Sequence, residues 1–315
     1  MTYDKENMLG VLESFSEQCK EAVKLARGAS IKGKFSSITV CGMGGSGLAG
    51  ELLKPLAKIP VYPVHDYNLP SYIDKKNLII IVSYSGNTEE TLSCFKQAKK
   101  KKCKILSITS GGKLAELDKK AIIIPSGMQP RSAIGYLFLT MVAVLSKARA
   151  IPNQASALNE TIRILNSKLC SRQGFLLAQK LRGKIPVFYA SNDLAAVAYR
   201  IKTAVNENSK QPAFHHYFPE MDHNEINGFK KNASKIAAVF IMDKKDPNKI
   251  KKRMDITKKI IKHNTHVLEV HGKSLLARMM YAIYIGDYLS YYLALMNKVN
   301  PTPVPVIEDL KKRLK

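Results

Sequence analysis

Ser37-Ile38-Thr39-Val40-Cys41-Gly42-Met43-Gly44-Gly45-Ser46-Gly47 and Leu78-Ile79-Ile80-Ile81-Val82-Ser83-Tyr84-Ser85-Gly86-Asn87-Thr88-Glu89-Glu90 are the two stretches that decide the fold. Each opens with a short apolar, β-branched run, at 37–40 and at 78–82, and each continues into apolar residues at helical spacing. Each loop therefore joins a strand to the N-terminus of a helix. Glycines let such a turn close tightly and approach a ligand, the first-turn N–H groups have no intrahelical partner, and the helix dipole favours negative charge there. The second loop adds the hydroxyls of Ser83, Ser85 and Thr88. Convergent hydroxyls and amides suit a terminal phosphate monoester, with its three acceptor oxygens, better than a diphosphate bridge.

Outward from these loops, strand-like runs recur at 61–64, 104–108 and 121–124, with helix-like segments between most of them. That alternation predicts an α/β fold with a parallel sheet flanked by helices. The first 35 residues predict an amphipathic helix with Met8, Leu9, Leu12, Phe15, Ala22, Val23 and Leu25 on its apolar face, and 129–150 predicts a helix that closes this half. After Ile151-Pro152-Asn153 the layout repeats. A strand at 184–191 leads through small residues into a helix from 194 to about 208, strands follow at 236–241 and 266–270 with a lysine-rich helix between them, and 275–298 is a long closing helix. The chain reads as a degenerate tandem repeat with domains at 1–152 and 153–315. Glycine and hydroxyl loops concentrate in the first half, so phosphate is expected there, with the second half supplying other groups.

The chain has 315 residues, enough for two compact domains, and a hydrophobic content of 45% that argues against disorder. Its five cysteines are scattered without metal-ligand spacing and no signal-like apolar stretch opens the chain, which predicts a reducing cytoplasm without structural disulfides. The seven histidines likewise lack zinc spacing. The apolar segment 275–295 contains Arg278 and Asp287 and suits a buried helix rather than a bilayer span, so no membrane role is expected. The abnormal bulk property is a formal charge of +25, from 50 Lys and Arg against 25 Asp and Glu. Such a field attracts anions. Lys99 to Lys102 complement a helix dipole and Lys249 to Arg253 read as a solvated face, and with no aromatic platform beside them a nucleic-acid partner is not expected.

A competing reading takes Gly42, Gly44 and Gly47 as a dinucleotide fingerprint and Asp66 as its ribose-binding acid, as in an NAD(P)-dependent dehydrogenase. It leaves the hydroxyls of the second loop unused and predicts no tandem copy.

The pair Gly44-Gly45-Ser46-Gly47 and Ser83-Tyr84-Ser85-Gly86-Asn87-Thr88-Glu89-Glu90-Thr91 resembles the sugar isomerase (SIS) domain. With Pro130-Arg131, Asn206-Glu207-Asn208-Ser209-Lys210, His223-Asn224-Glu225 and Leu310-Lys311, the whole chain resembles the archaeal-type bifunctional phosphoglucose/phosphomannose isomerases. The resemblance implies two SIS domains per subunit, a homodimer with shared active sites, no metal or organic cofactor, and reversible aldose–ketose isomerisation of hexose 6-phosphates through a cis-enediol. A sugar-phosphate sensor without turnover is the non-enzymatic rival. Such regulators attach a helix-turn-helix unit, for which the 35-residue N-terminal segment is too short.

By the same resemblance, Glu207 is the base that moves the proton between C2 and C1, and His223, reaching in from the neighbouring subunit, opens the ring. Arg131 stabilises the enediolate. Lys311, with Lys312 and Lys315 close by, assists ring opening, and Thr302 offers a hydroxyl near the sugar. Gly45, Ser46, Ser83, Ser85 and Thr88 hold the phosphate, and here the reading of the residues and the resemblance agree. Without the resemblance Glu207 is an ordinary solvated glutamate near a helix end. The lysine excess has no counterpart in the resemblance.

Overall fold

Parallel strands buried on both faces need helices above and below, and the chain supplies them twice. The computed structural model describes residues 3–230, 233–262 and 264–314. They form two compact units, Phe15–Arg163 and Met1–Ser14 with Ile164–Lys315. One unit is continuous in sequence and the other is built from two segments.

In the unit Phe15–Arg163 the strands are β1 (Ser37–Cys41), β2 (Val61–Val64), β3 (Asn77–Ser83), β4 (Lys104–Thr109) and β5 (Ile122–Ile123). All pairs are parallel, in the order β2-β1-β3-β4-β5. Every residue of β1 and β3 is buried, as central parallel strands require. The crossovers from β1 and from β3 run in opposite directions along the sheet. Because such connections are right-handed, helix Gly44–Leu53 falls on one face and helix Glu89–Lys100 on the other. Leu92, Cys94, Phe95 and Ala98 of the latter pack with Ile79, Ile81, Cys41 and Leu114 in one apolar cluster.

The closing segment 129–150 is not one helix. It is a 3-10 turn at Pro130–Ala133, a π-turn at Gly135–Leu139 and an α-helix at Thr140–Lys147. Gln18 inserts here: its Oε1 accepts from Tyr136 N at 3.2 Å and its Nε2 donates to Ser132 O at 3.0 Å, which displaces the regular i to i−4 ladder. The N-terminal segment is also divided. Met8–Glu13 and Phe15–Leu25 are separate helices with Ser14 between them, and Ser14 N donates back to Gly10 and Leu12 carbonyls.

The second unit carries β6 (Ile185–Ser191), β7 (Phe214–Phe218), β8 (Ile236–Met242) and β9 (Thr265–Glu269). They are parallel in the order β7-β6-β8-β9, which is the β2-β1-β3-β4 pattern again. The tandem repeat is thus present in the topology. Helix Leu275–Met296 is buried around most of its circumference. Gly286 brings it against Ile201, and Gly174 brings helix Ser167–Leu181 against Tyr288. A Cβ would lie 2.4 Å and 2.6 Å, respectively, from those side chains. Tyr284 Oη donates to Leu12 O at 2.7 Å and Tyr291 Oη to Asp4 Oδ2 at 3.2 Å, so the first 14 residues pack with this unit. Among the described residues no helix is long and apolar enough to cross a membrane.

Candidate active site

In the first sheet the chain leaves β1 towards one edge and β3 towards the other, so a crevice opens beyond their C-terminal ends, where open α/β sheets bind ligands. Both motif loops lie there. The first turns into its helix at once: Gly44 has φ +53, and Ser46 N and Gly47 N already donate to Met43 O. The loop is packed to the limit of its backbone. A Cβ on Gly47 would lie 2.3 Å from Gly42 O, and one on Gly45 would lie 3.1 Å from Arg131 Cα.

The second loop meets the first through a hydrogen bond of 3.1 Å from Tyr84 N to the buried Ser46 Oγ. Ser83 Oγ donates to Thr88 Oγ1 at 3.2 Å, and Asn87 N donates to Ser85 Oγ at 3.3 Å. Thr88 occupies the N-cap position of helix Glu89–Lys100, and its hydroxyl makes no capping bond to the first-turn N–H groups. Gly86 has φ +69 and lies against the loop that follows β4, where a Cβ would be 1.8 Å from Gly111 O. Gly45, Ser46, Ser83, Ser85 and Thr88 are thus gathered at one place. The buried Arg131 is beside them, with Nη1 donating to Gln129 Oε1 at 3.2 Å.

The other sequence-selected residues belong to the second unit. Glu207 is half-buried in the last turn of helix Ala195–Ser209. Lys210, at φ +55 just beyond that helix, donates to Glu207 O and to Pro303 O at 2.6 Å and Pro301 O at 3.3 Å. One ammonium therefore ties the end of the Glu207 helix to the turn that carries Thr302. The same helix is anchored to Leu275–Met296 by a buried ion pair, Arg200 Nη2 to Asp287 Oδ1 at 2.6 Å, and by Asn208 Nδ2 donating to Ser290 Oγ at 2.8 Å. His223 is exposed at the end of the 3-10 turn Glu220–His223, beyond β7. Lys311 and Lys312 are exposed on helix Pro305–Arg313, and Lys315 lies outside the described residues.

Two contributors escaped the motif reading. Lys210 stands inside the motif 206–210, but its contacts include carbonyls some ninety positions away. His65 follows edge strand β2, and its Nδ1 lies 2.8 Å from Gly42 O. Its sequence signal was its position after a strand that pairs with β1. The dinucleotide reading does not survive the topology: the order β2-β1-β3-β4-β5 is not the 3-2-1-4-5-6 order of dinucleotide-binding sheets.

Known proteins agree with this geometry. Residues 31–148 match the SIS domain family, and residues 172–314 match the bacterial phospho-glucose isomerase C-terminal SIS domain. A bifunctional phosphoglucose/phosphomannose isomerase of Thermoplasma volcanium is 39% identical over 307 residues, spanning 95% of this chain and 99% of that one. The chain belongs to the bifunctional phosphoglucose/phosphomannose isomerase family. A D-glucosamine-6-phosphate 4-epimerase of Sulfolobus acidocaldarius is 34% identical over 287 residues, covering 88% of each chain. In fold, this family member is similar to the C-terminal domain of glucosamine-fructose-6-phosphate aminotransferase from Francisella tularensis, with a TM-score of 0.76 at 14% identity over 94% of this chain and 98% of that one.

Proposed function

We propose that the protein interconverts glucose 6-phosphate and mannose 6-phosphate with fructose 6-phosphate. The observation that carries this reading is the pair of hydroxyl- and glycine-bearing loops joined by the Tyr84 N to Ser46 Oγ bond, in a chain that belongs to this isomerase family. Gly45, Ser46, Ser83, Ser85 and Thr88 hold the phosphate and fix the sugar's reach. His223, assisted by Lys311, moves protons between O5 and O1 to open the ring. Glu207 removes the C2 proton and returns it to C1, Arg131 balances the negative charge that develops on the enediolate, and Thr302 contacts the sugar. A planar cis-enediol has lost the C2 configuration, so one base serves both aldose epimers. The protein acts as a homodimer in the cytoplasm, with His223 completing a site whose Glu207 belongs to the partner subunit.

The test is a coupled assay with each hexose 6-phosphate, together with solvent exchange at C2. Glu207→Gln is expected to lose nearly all isomerisation and exchange while inorganic phosphate still competes, because the base acts in the transition state. Mixing inactive Glu207→Ala and His223→Ala proteins should restore activity through heterodimers, with about a quarter of sites intact under random exchange. Full activity in Glu207→Gln removes that residue from the mechanism. Proven subunit exchange without recovered activity removes the shared site.

A further inference from the structure

His65 is one of the histidines that the sequence leaves without a role. In the structure it stands beside the first phosphate loop with both ring nitrogens engaged. Nδ1 lies 2.8 Å from Gly42 O, the carbonyl that opens the loop, and Nε2 lies 3.4 Å from Glu51 Oε1 on helix Gly44–Leu53, into which the loop runs. Glu51 in turn pairs with Lys54 at 2.7 Å. The ring also fills the space that Gly47 leaves open, since a Cβ there would lie 2.6 Å from Nδ1. A carbonyl and a carboxylate are both acceptors, so only the doubly protonated imidazolium donates to each.

We propose that His65 is a positioning residue of the phosphate site: it clamps the Gly42 carbonyl so that the Gly44 and Gly45 amides face the ligand, and in its charged form it ties the loop to the helix through Glu51. The proposal rests on the phosphate-holding part of the isomerase reading. In support, the hydrogen bond that His65 donates to Glu51, together with the one it donates to Gly42 O, outweighs the opposing effect of burial and raises the His65 pKa above its usual value, while Glu51 is lowered chiefly by the same bond to His65. The charged groups facing the ring are Glu51 and, from the turn after the helix, Lys54, whose charge opposes protonation. Below the raised His65 pKa the clamp holds at both nitrogens. As pH rises through the His65 pKa the Glu51 tie is lost, whereas Nδ1–H continues to hold Gly42 O.

The experiment compares wild type, His65→Ala and His65→Asn, with inorganic phosphate as the probe. Asn can present its amide N–H where Nδ1–H stands, but it carries no charge. His65→Ala should raise the phosphate inhibition constant and the KM for hexose 6-phosphate by about tenfold, the loss of about one hydrogen bond to a structured loop, with kcat changed by less than about threefold. His65→Asn should recover most of that loss. The ratio of its inhibition constant to that of wild type should rise from near one at about pH 9 to several-fold at about pH 6. Taking the ratio cancels the ionisation of phosphate itself, whose second pKa is about 6. An Ala variant with unchanged inhibition constant and KM, or one whose loss falls on kcat alone, overturns the proposal, as does an Asn ratio that is flat with pH. Calorimetric binding of inorganic phosphate separates the two levels. His65-dependent binding without any isomerisation sinks the isomerase reading and keeps His65. Isomerisation that ignores residue 65 does the reverse.

Discussion

At the end of β1 the chain reads Gly42-Met43-Gly44-Gly45-Ser46, whereas at the corresponding end of β6 it reads Asn192-Asp193-Leu194. The end of β3 gives Ser83-Tyr84-Ser85-Gly86, and the end of β8 gives Asp243-Lys244-Lys245-Asp246. The four strands of the second sheet repeat the order of four in the first, and so place a crevice at the same point, but the loops that border it differ. In the second, the buried Asp243 already consumes the donors at hand: it accepts from Lys245 N at 2.8 Å and from Arg278 Nε at 2.5 Å. Asp246, 6% exposed, adds a second buried carboxyl. Topology decides where an α/β unit can hold a ligand, and a handful of loop residues decide whether a phosphate is welcome there.

The hardest blow to this contrast should come from Gly86→Ala. The new Cβ would require φ near +69 and would overlap Gly111 O, so the second loop must move; about 3 kcal/mol of stability and all measurable phosphate binding should be lost. Lys244→Ala, an exposed position in the corresponding loop of the second sheet, should leave both unchanged. Thermal melts and phosphate titration of the two variants make the comparison. If Lys244→Ala weakens phosphate as much as Gly86→Ala does, the crevices are not functionally distinct.

A smaller effect is expected from the hydroxyls. Ser83→Ala and Thr88→Ala should each weaken phosphate competition by about 1 to 3 kcal/mol. Because the two side chains share a hydrogen bond, the double variant should lose less than the sum. Strict additivity would show that they do not act on one ligand together. Asp193→Ala in the second crevice should shift phosphate affinity by less than about twofold, and a larger change would place ligand chemistry there.

The smallest effect is a pH dependence of stability. Burial holds the Asp246 carboxyl above the usual carboxylate range. Its stabilising share is therefore present below the unfolded pKa and is lost as pH rises through the higher folded value. Asp246→Asn should remove that slope, so its melting temperature gains on wild type as pH rises through this window. In the first crevice His65, also raised, loses its share as pH climbs through its folded pKa above 6.5, whereas the lowered Glu51 loses its share as pH falls through a value below 4.5. Melting curves that stay parallel across the Asp246 window would show that this carboxyl is not perturbed.

Central strands and motif loops were legible because β-branched runs that end in glycine and serine have few alternatives. β7 was not, since Phe214-His215-His216-Tyr217-Phe218 shows no apolar alternation and lies at an edge with Phe214 and Tyr217 exposed. The breaks at Ser14 and within 130–139 depend on local backbone bonds and on Gln18, which no periodicity registers. In the site, hydroxyls could be recognised by type and spacing. His65 and Lys210 work through backbone carbonyls, and carbonyls carry no sequence signature.

The discontinuity of the second unit has a consequence for biosynthesis. The ribosome delivers Leu12 early, yet its partner Tyr284 is made 272 positions later, and Asp4 waits still longer for Tyr291. The intervening unit, Phe15–Arg163, is continuous and complete well before then. Domains fold as units while they emerge, so the helix Met8–Glu13 docks only after the chain has passed Tyr284, and its apolar face waits through the synthesis of both sheets. A change in the segment around Leu12 therefore bears on the completion of the second unit, whose sheet is encoded more than 150 residues downstream.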